Sequence, residues 1–91
     1  MKWLEVIKLR SAEKGFGMLE ELLVSMDSVG QSGLVEVKTY RHAALATDVS
    51  VHLLWESEQP EQNGSSLGLR IGQALKEFGL IDHSIWVEGI Y

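Results

Sequence analysis

The segment LVEVKTYRHAALATDVSVHLLWE, Leu34 to Glu56, holds two strand-like runs around the short connection Ala43–Thr47. Successive side chains of a strand point to opposite faces, so a hairpin centred on Leu45 sorts this segment into two sets. Val35, Val37 and Thr39 fall on one face with Val51, Leu53 and Trp55. Glu36, Lys38, Tyr40 and His42 fall on the other, with Asp48, Ser50 and His52. The first face requires an apolar cover. The second is polar and aromatic, and it carries groups that can move protons.

Working outward, Trp3 to Arg10 reads as a strand apolar on both sides, with Leu4 and Val6 opposed to Trp3, Ile7 and Leu9. Such a strand belongs in the middle of its sheet. Ser11 supplies an N-cap and Glu13 a favourable first-turn charge for a helix. Phe16, Leu19, Leu22, Leu23 and Met26 then form its buried stripe at three- and four-residue spacing. Gly30-Gln31-Ser32-Gly33 ends that unit in a turn. Beyond the hairpin, Ser57 to Ser65 is polar and punctuated by Pro60 and Asn63-Gly64, an exposed loop. Ser65 or Ser66 caps a second helix with the stripe Leu67, Ile71, Ala74, Leu75 and Phe78, and Gly79 reads as its C-cap. Gly68 and Gly72, one turn apart, would let this helix approach the sheet closely. Ser84 to Tyr91 alternates as the final strand, with Ile85 and Val87 opposed to Trp86, Glu88 and Ile90.

The order strand, helix, strand, strand, helix, strand predicts one α+β domain over residues 1–91. Its architecture is ferredoxin-like βαββαβ, a four-stranded antiparallel sheet with two helices on one face. Right-handed crossovers give the spatial order fourth, first, third, second. The helix-free face would carry Tyr40, His52 and Trp86 beside Leu54 and Ile90, too apolar a mixture to stand open in water. A homodimer through that face would cover it and enclose a partly polar cavity.

Composition narrows the function classes. Ninety-one residues with 45% apolar and 23% charged side chains suit one globular domain. Absence of cysteine excludes disulfides, zinc–thiolate sites, iron–sulfur clusters and a thiol nucleophile, and fits a reducing cytoplasm. Glu5, Lys8 and Arg10 interrupt any signal-peptide run, and no segment approaches a membrane span. A net charge of −5, with eight basic residues scattered singly, argues against nucleic acid as a partner. Gly64 to Gly68 lacks the spacing and lysine of a phosphate-binding loop.

Element order and length resemble the dimeric α+β barrel superfamily, whose small members include antibiotic-biosynthesis-type monooxygenase domains. The resemblance spans the whole chain and rests on layout, without a short diagnostic motif. It implies a homodimer whose inter-sheet cavity binds small, often aromatic molecules, and an oxidation that uses neither metal nor flavin. The haem-degrading branch uses a helix-borne His with an Asn and a Trp. Here the histidines lie on strands or at a strand edge and Asn63 lies in a loop, so that branch does not fit.

Within the hairpin, Tyr40 and His52 are the candidate catalytic pair. Tyr40 faces Ser50, and His52 is its diagonal neighbour at about 7–8 Å, within reach of long side chains. A phenol and an imidazole in a dry cavity can orient a substrate hydroxyl or shuttle its proton. Lys38, Ser50 and Trp86 are the candidate ligand-binding residues, Lys38 for an anionic group. Packing within a dimer interface is the competing explanation for the same residues. His42, Asp48 and His52 resemble a two-histidine, one-carboxylate metal set, but His52 lies four residues beyond Asp48, roughly 13 Å along the strand. No metal or other cofactor is expected, and His42 with Asp48 reads as an exposed cross-strand pair. Adjacent Asp82 and His83 point apart and form no dyad with each other. Two functions stay open: a cofactor-independent monooxygenase or isomerase acting on a small aromatic or quinone-like compound, or a non-catalytic ligand-binding or assembly domain.

Overall fold

Strand β1, Lys2–Ser11, is flanked on both sides by antiparallel partners, as its two-sided apolarity requires. The computed structural model describes residues 1–11, 32–45 and 47–89 of the chain. The remaining described elements are β2 (Leu34–Arg41), β3 (Asp48–Glu56), helix α1 (Ser66–Leu75) and β4 (Gly79–Val87). The four strands form one antiparallel sheet in the order β2-β3-β1-β4, so β1 and β3 are central. This is the α+β ferredoxin-like arrangement, with the strand order that right-handed crossovers dictate. The helix expected from Glu13 through Met26 lies outside the described residues. Among the described residues no helix is long and apolar enough to cross a membrane.

The hairpin closes in the register its sequence implies: Tyr40 pairs with Ser50, Thr39 with Val51 and Lys38 with His52. A bulge then shifts the pairing between Leu34 and Glu36, bringing Leu34 opposite Trp55. The expected inward position of Val35 is therefore corrected. An extra residue reverses the alternation, so Leu34 packs against the core while Val35 is exposed. Gly33, at φ 88, makes the turn that leads into this bulge.

Three other boundaries differ from their expected positions. β1 extends one residue past Arg10 to Ser11, which pairs with Gly79, and the helix that Ser11 is expected to cap lies outside the described residues. The C-cap of α1 is Lys76, whose N–H donates to Gly72 O, and Gly79 instead opens β4. β4 thus begins five residues before Ser84, and His83 lies inside it. Residues 90–91 lie outside the described set.

The core sits between the sheet and α1. Trp3, Ile7 and Leu9 from β1 join Val49, Val51, Leu53 and Trp55 from β3, with Leu67, Ile71 and Leu75 from α1. Trp3 and Trp55 stack with ring centroids 5.6 Å apart, and Trp3 Nε1 donates to Ser57 Oγ at 2.8 Å. Ser65 caps α1 as expected, its Oγ accepting from Gly68 N–H at 2.9 Å.

The two helix glycines differ in their surroundings. A Cβ at Gly68 would overlap the Glu5 carboxylate, whereas one at Gly72 would meet only Ile81 Cγ2 at 3.9 Å. Gly68→Ala should therefore lower stability by about 2–4 kcal/mol in urea unfolding. Gly72→Ala should raise it by up to about 1 kcal/mol through helix propensity. Equal effects of the two substitutions would show that the approach at Gly68 is not tight.

Candidate functional site

The open face is built from the even-numbered residues of β1. One cross-strand row runs Asp82, Lys8, Ser50, Tyr40, and the next runs Ser84, Val6, His52, Lys38. The expected pair does come together: the rings of Tyr40 and His52 lie 4.5 Å apart between centroids, tilted by 50°. Ser50 Oγ lies 3.2 Å from His52 Nε2. A cavity of about 530 Å³ opens at this end of the sheet, with Lys8, Tyr40, Ser50 and Asp82 among its lining residues and Leu45 and Leu80 contributing apolar wall. Ser50 reaches the cavity while His52 stands one row behind it, so the hydroxyl links the imidazole to the opening.

His52 titrates below the ordinary value of 6.5, because burial disfavours the imidazolium and Lys8 repels it. Its neutral form therefore predominates at neutral pH, and that form can accept a proton. Lys38 stands opposite His52, with its ammonium 3.5 Å from Glu36 Oε1 on the exposed surface. Trp86, 61% exposed, lies two rows from the cavity and donates from Nε1 to Ser84 Oγ at 2.9 Å.

His42 and Asp48 do not form the expected side-chain pair. His42 Nδ1 accepts from the N–H groups of Ala44 and Leu45, both at 3.0 Å, which turns the imidazole into a cap for the hairpin connection. Asp48 Oδ2 faces Arg10 Nε at 3.7 Å instead. Only the backbones of His42 and Asp48 meet, N–H to O at 2.8 Å. Among the described residues no cluster of three or more His, Asp or Glu side chains could hold a metal ion.

A second polar constellation lies on the covered face, where the sequence reading found none. Glu5 is 0% exposed, amid the apolar side chains of β1 and β3. Its Oε1 accepts from Trp55 Nε1 at 3.0 Å and from Ser65 Oγ at 2.6 Å. Its Oε2 accepts from Ser65 N–H at 2.9 Å and lies 2.6 Å from His83 Nε2. The signal was present: period two puts Glu5 on the same face as Trp3 and Ile7, and a charge there must find partners. Asp82 and His83 do point to opposite faces, as adjacent strand residues should. The partner of His83 comes from β1.

No protein-family model matches the chain, and no curated protein matches it. Solved structures do. SnoaB, a cofactor-independent oxygenase from Streptomyces nogalater, is 12% identical with a TM-score of 0.72, over 99% of this chain and 95% of its own. A conserved protein from Methanosarcina mazei Go1 is 14% identical with a TM-score of 0.73, over 98% and 94%. A dimeric ferredoxin-like protein from an uncultured marine organism is 16% identical with a TM-score of 0.53, over 99% and 91%. At these identities the likeness concerns the fold alone, the ferredoxin-like α+β arrangement described above.

The electrostatics of the open face are directly measurable. The His52 imidazole should titrate below 6.5 by NMR, and Lys8→Met should move that midpoint upward while leaving it short of 6.5, since burial remains. Because the unfolded chain protonates first, stability should decline as pH falls through 6.5 towards the folded-state midpoint. A midpoint unmoved by Lys8→Met would show that burial alone sets it.

Proposed function

We propose that this chain is a cytoplasmic homodimer, closed through its open sheet face, that binds a small aromatic or quinone-like molecule. It acts on that molecule without a bound cofactor, as a monooxygenase or isomerase. The observation that carries this reading is the contact between Tyr40 and His52 beside the cavity, with Ser50 linking His52 to its opening. Neutral His52 can take the proton of a substrate hydroxyl by way of Ser50, while the Tyr40 hydroxyl orients the oxygen left behind. The resulting phenolate or enolate is electron-rich. It can return its proton at another carbon, which is isomerisation, or give electrons to molecular oxygen. Lys8 and Lys38 favour the anion electrostatically, and Trp86 offers a flat apolar surface at the far end of the face.

Support for self-association comes from Tyr40, Leu80 and Trp86, which are 47%, 74% and 61% exposed on the face turned away from α1. A structure neighbour described as dimeric and ferredoxin-like adds to it, and SnoaB, described as a cofactor-independent oxygenase, supports the reaction class. Fold likeness alone does not transfer a reaction. The same exposed side chains also support the second reading, in which the open face is an assembly or ligand-binding surface without turnover.

Native mass spectrometry of the purified chain should give a dimer. Oxygen uptake with quinol substrates, together with absorbance change for isomerisation, should report turnover. Tyr40→Phe and His52→Ala should each lower turnover by about 10²-fold while the dimer persists. Turnover should fall on an acid limb lying below pH 6.5, as protonation of His52 removes the base. Loss of the dimer in both variants, with no turnover in the parent chain, would favour the assembly reading.

A further inference from the structure

The proposed reaction leaves unused the buried carboxylate of Glu5 and the imidazole it holds. Stability alone is a weak reason for a charge there, since a buried ion pair can be replaced by packed apolar groups at little cost, and sometimes with gain. The chain nevertheless shapes its backbone around this one. Gly64 takes φ 97, and a Cβ on it would stand 2.6 Å from His83 Cε1 and 3.2 Å from Glu5 Oε2. Gly68 leaves room for the carboxylate itself. Trp55 and Ser65 supply three donors that fix both oxygens, so the carboxylate cannot turn away from the ring.

Exposure is graded across the pair. Glu5 is wholly buried, whereas the His83 side chain retains 19% exposure, so anything reaching this pair meets the imidazole first. Nε2 is engaged by Glu5 Oε2 at 2.6 Å, and Nδ1 is the nitrogen the carboxylate does not hold. A carboxylate fixed behind an imidazole selects its tautomer, orients the ring and stabilises the imidazolium formed on proton uptake.

We propose that Glu5 and His83 form an acid–base dyad on the covered side of the sheet, separate from Tyr40 and His52. Glu5 is the positioning residue, and His83 Nδ1 takes a proton from a small molecule bearing an acidic C–H or O–H. The step breaks that C–H or O–H bond, forms N–H at Nδ1 and leaves the electron pair on the substrate. The imidazolium then returns the proton to solvent or to product, so neither oxidant nor reductant enters.

5-Nitrobenzisoxazole is a suitable probe, because its ring opening needs only removal of one C–H proton and releases a coloured phenolate. The intact chain should open it about 10²-fold faster than free imidazole at equal concentration and pH. His83→Ala should fall to the level of free imidazole, and added imidazole should restore part of the lost rate, which a purely structural histidine would not allow. Glu5→Gln should lower kcat with KM little changed. Should His83→Ala fail to fold, His83→Gln serves for the loss, and the rate of the parent chain tests the claim without any variant. A parent chain no faster than imidazole overturns the proposal. So does a rate that survives loss of His83, or one that is removed by His52→Ala instead.

Discussion

The Glu5 carboxylate is the interaction on which the covered side of this molecule depends. It stands in the central strand and joins three other elements through four hydrogen bonds: β3 by Trp55, the N-terminus of α1 by Ser65, and β4 by His83. Bonds to a charged group contribute about 1.5–3 kcal/mol each, and an uncompensated buried carboxylate costs several. The arrangement is therefore close to all-or-none. A helix N-terminus suits it, because the N–H of Ser65 and the positive end of the helix dipole both face the negative charge. Ser65 serves twice, accepting from Gly68 as a cap and donating to Glu5 as a tether. Thus one side chain sets both where α1 begins and how near it lies to the sheet.

Much of the sheet was legible in the sequence, for a simple reason. Period-two alternation across Leu34 to Glu56 carries its own centre, and once Leu45 is taken as that centre the pairs Tyr40–Ser50 and Lys38–His52 follow. The two-sided apolarity of β1 likewise gives its central position. What escaped were departures from periodicity. The bulge at Val35 exchanges one apolar residue for another of similar size, so hydropathy holds no trace of it. Gly79 looks like a helix stop, yet a turn through Lys76 to Phe78 closes the helix first and frees the glycine to begin β4.

The candidate site divides in the same way. Tyr40 and His52 could be found because strand geometry alone brings same-face diagonal neighbours within reach. Glu5 and His83 are 78 positions apart, and nothing local links them. Their meeting requires the pairing of β1 with β4, where His83 stands opposite Ile7, and the close approach of α1 that Gly68 permits. Asp82, the sequence neighbour of His83, points to the other face.

Two imidazoles thus flank β1 on opposite sides of one sheet. His52 pairs in register with Val6, and His83 with Ile7, adjacent residues whose side chains point apart. Their surroundings are opposed as well. Partial burial and the ammonium of Lys8 act against charge on His52, which keeps it in the form that accepts protons. His83 instead faces the Glu5 carboxylate at 2.6 Å. The interior-facing histidine is held by Glu5, itself fixed by Trp55 and Ser65, while its counterpart depends on one tyrosine, one serine and whatever covers the open face. Structural support is therefore concentrated on the covered side, and the freedom to accommodate different ligands lies on the open one.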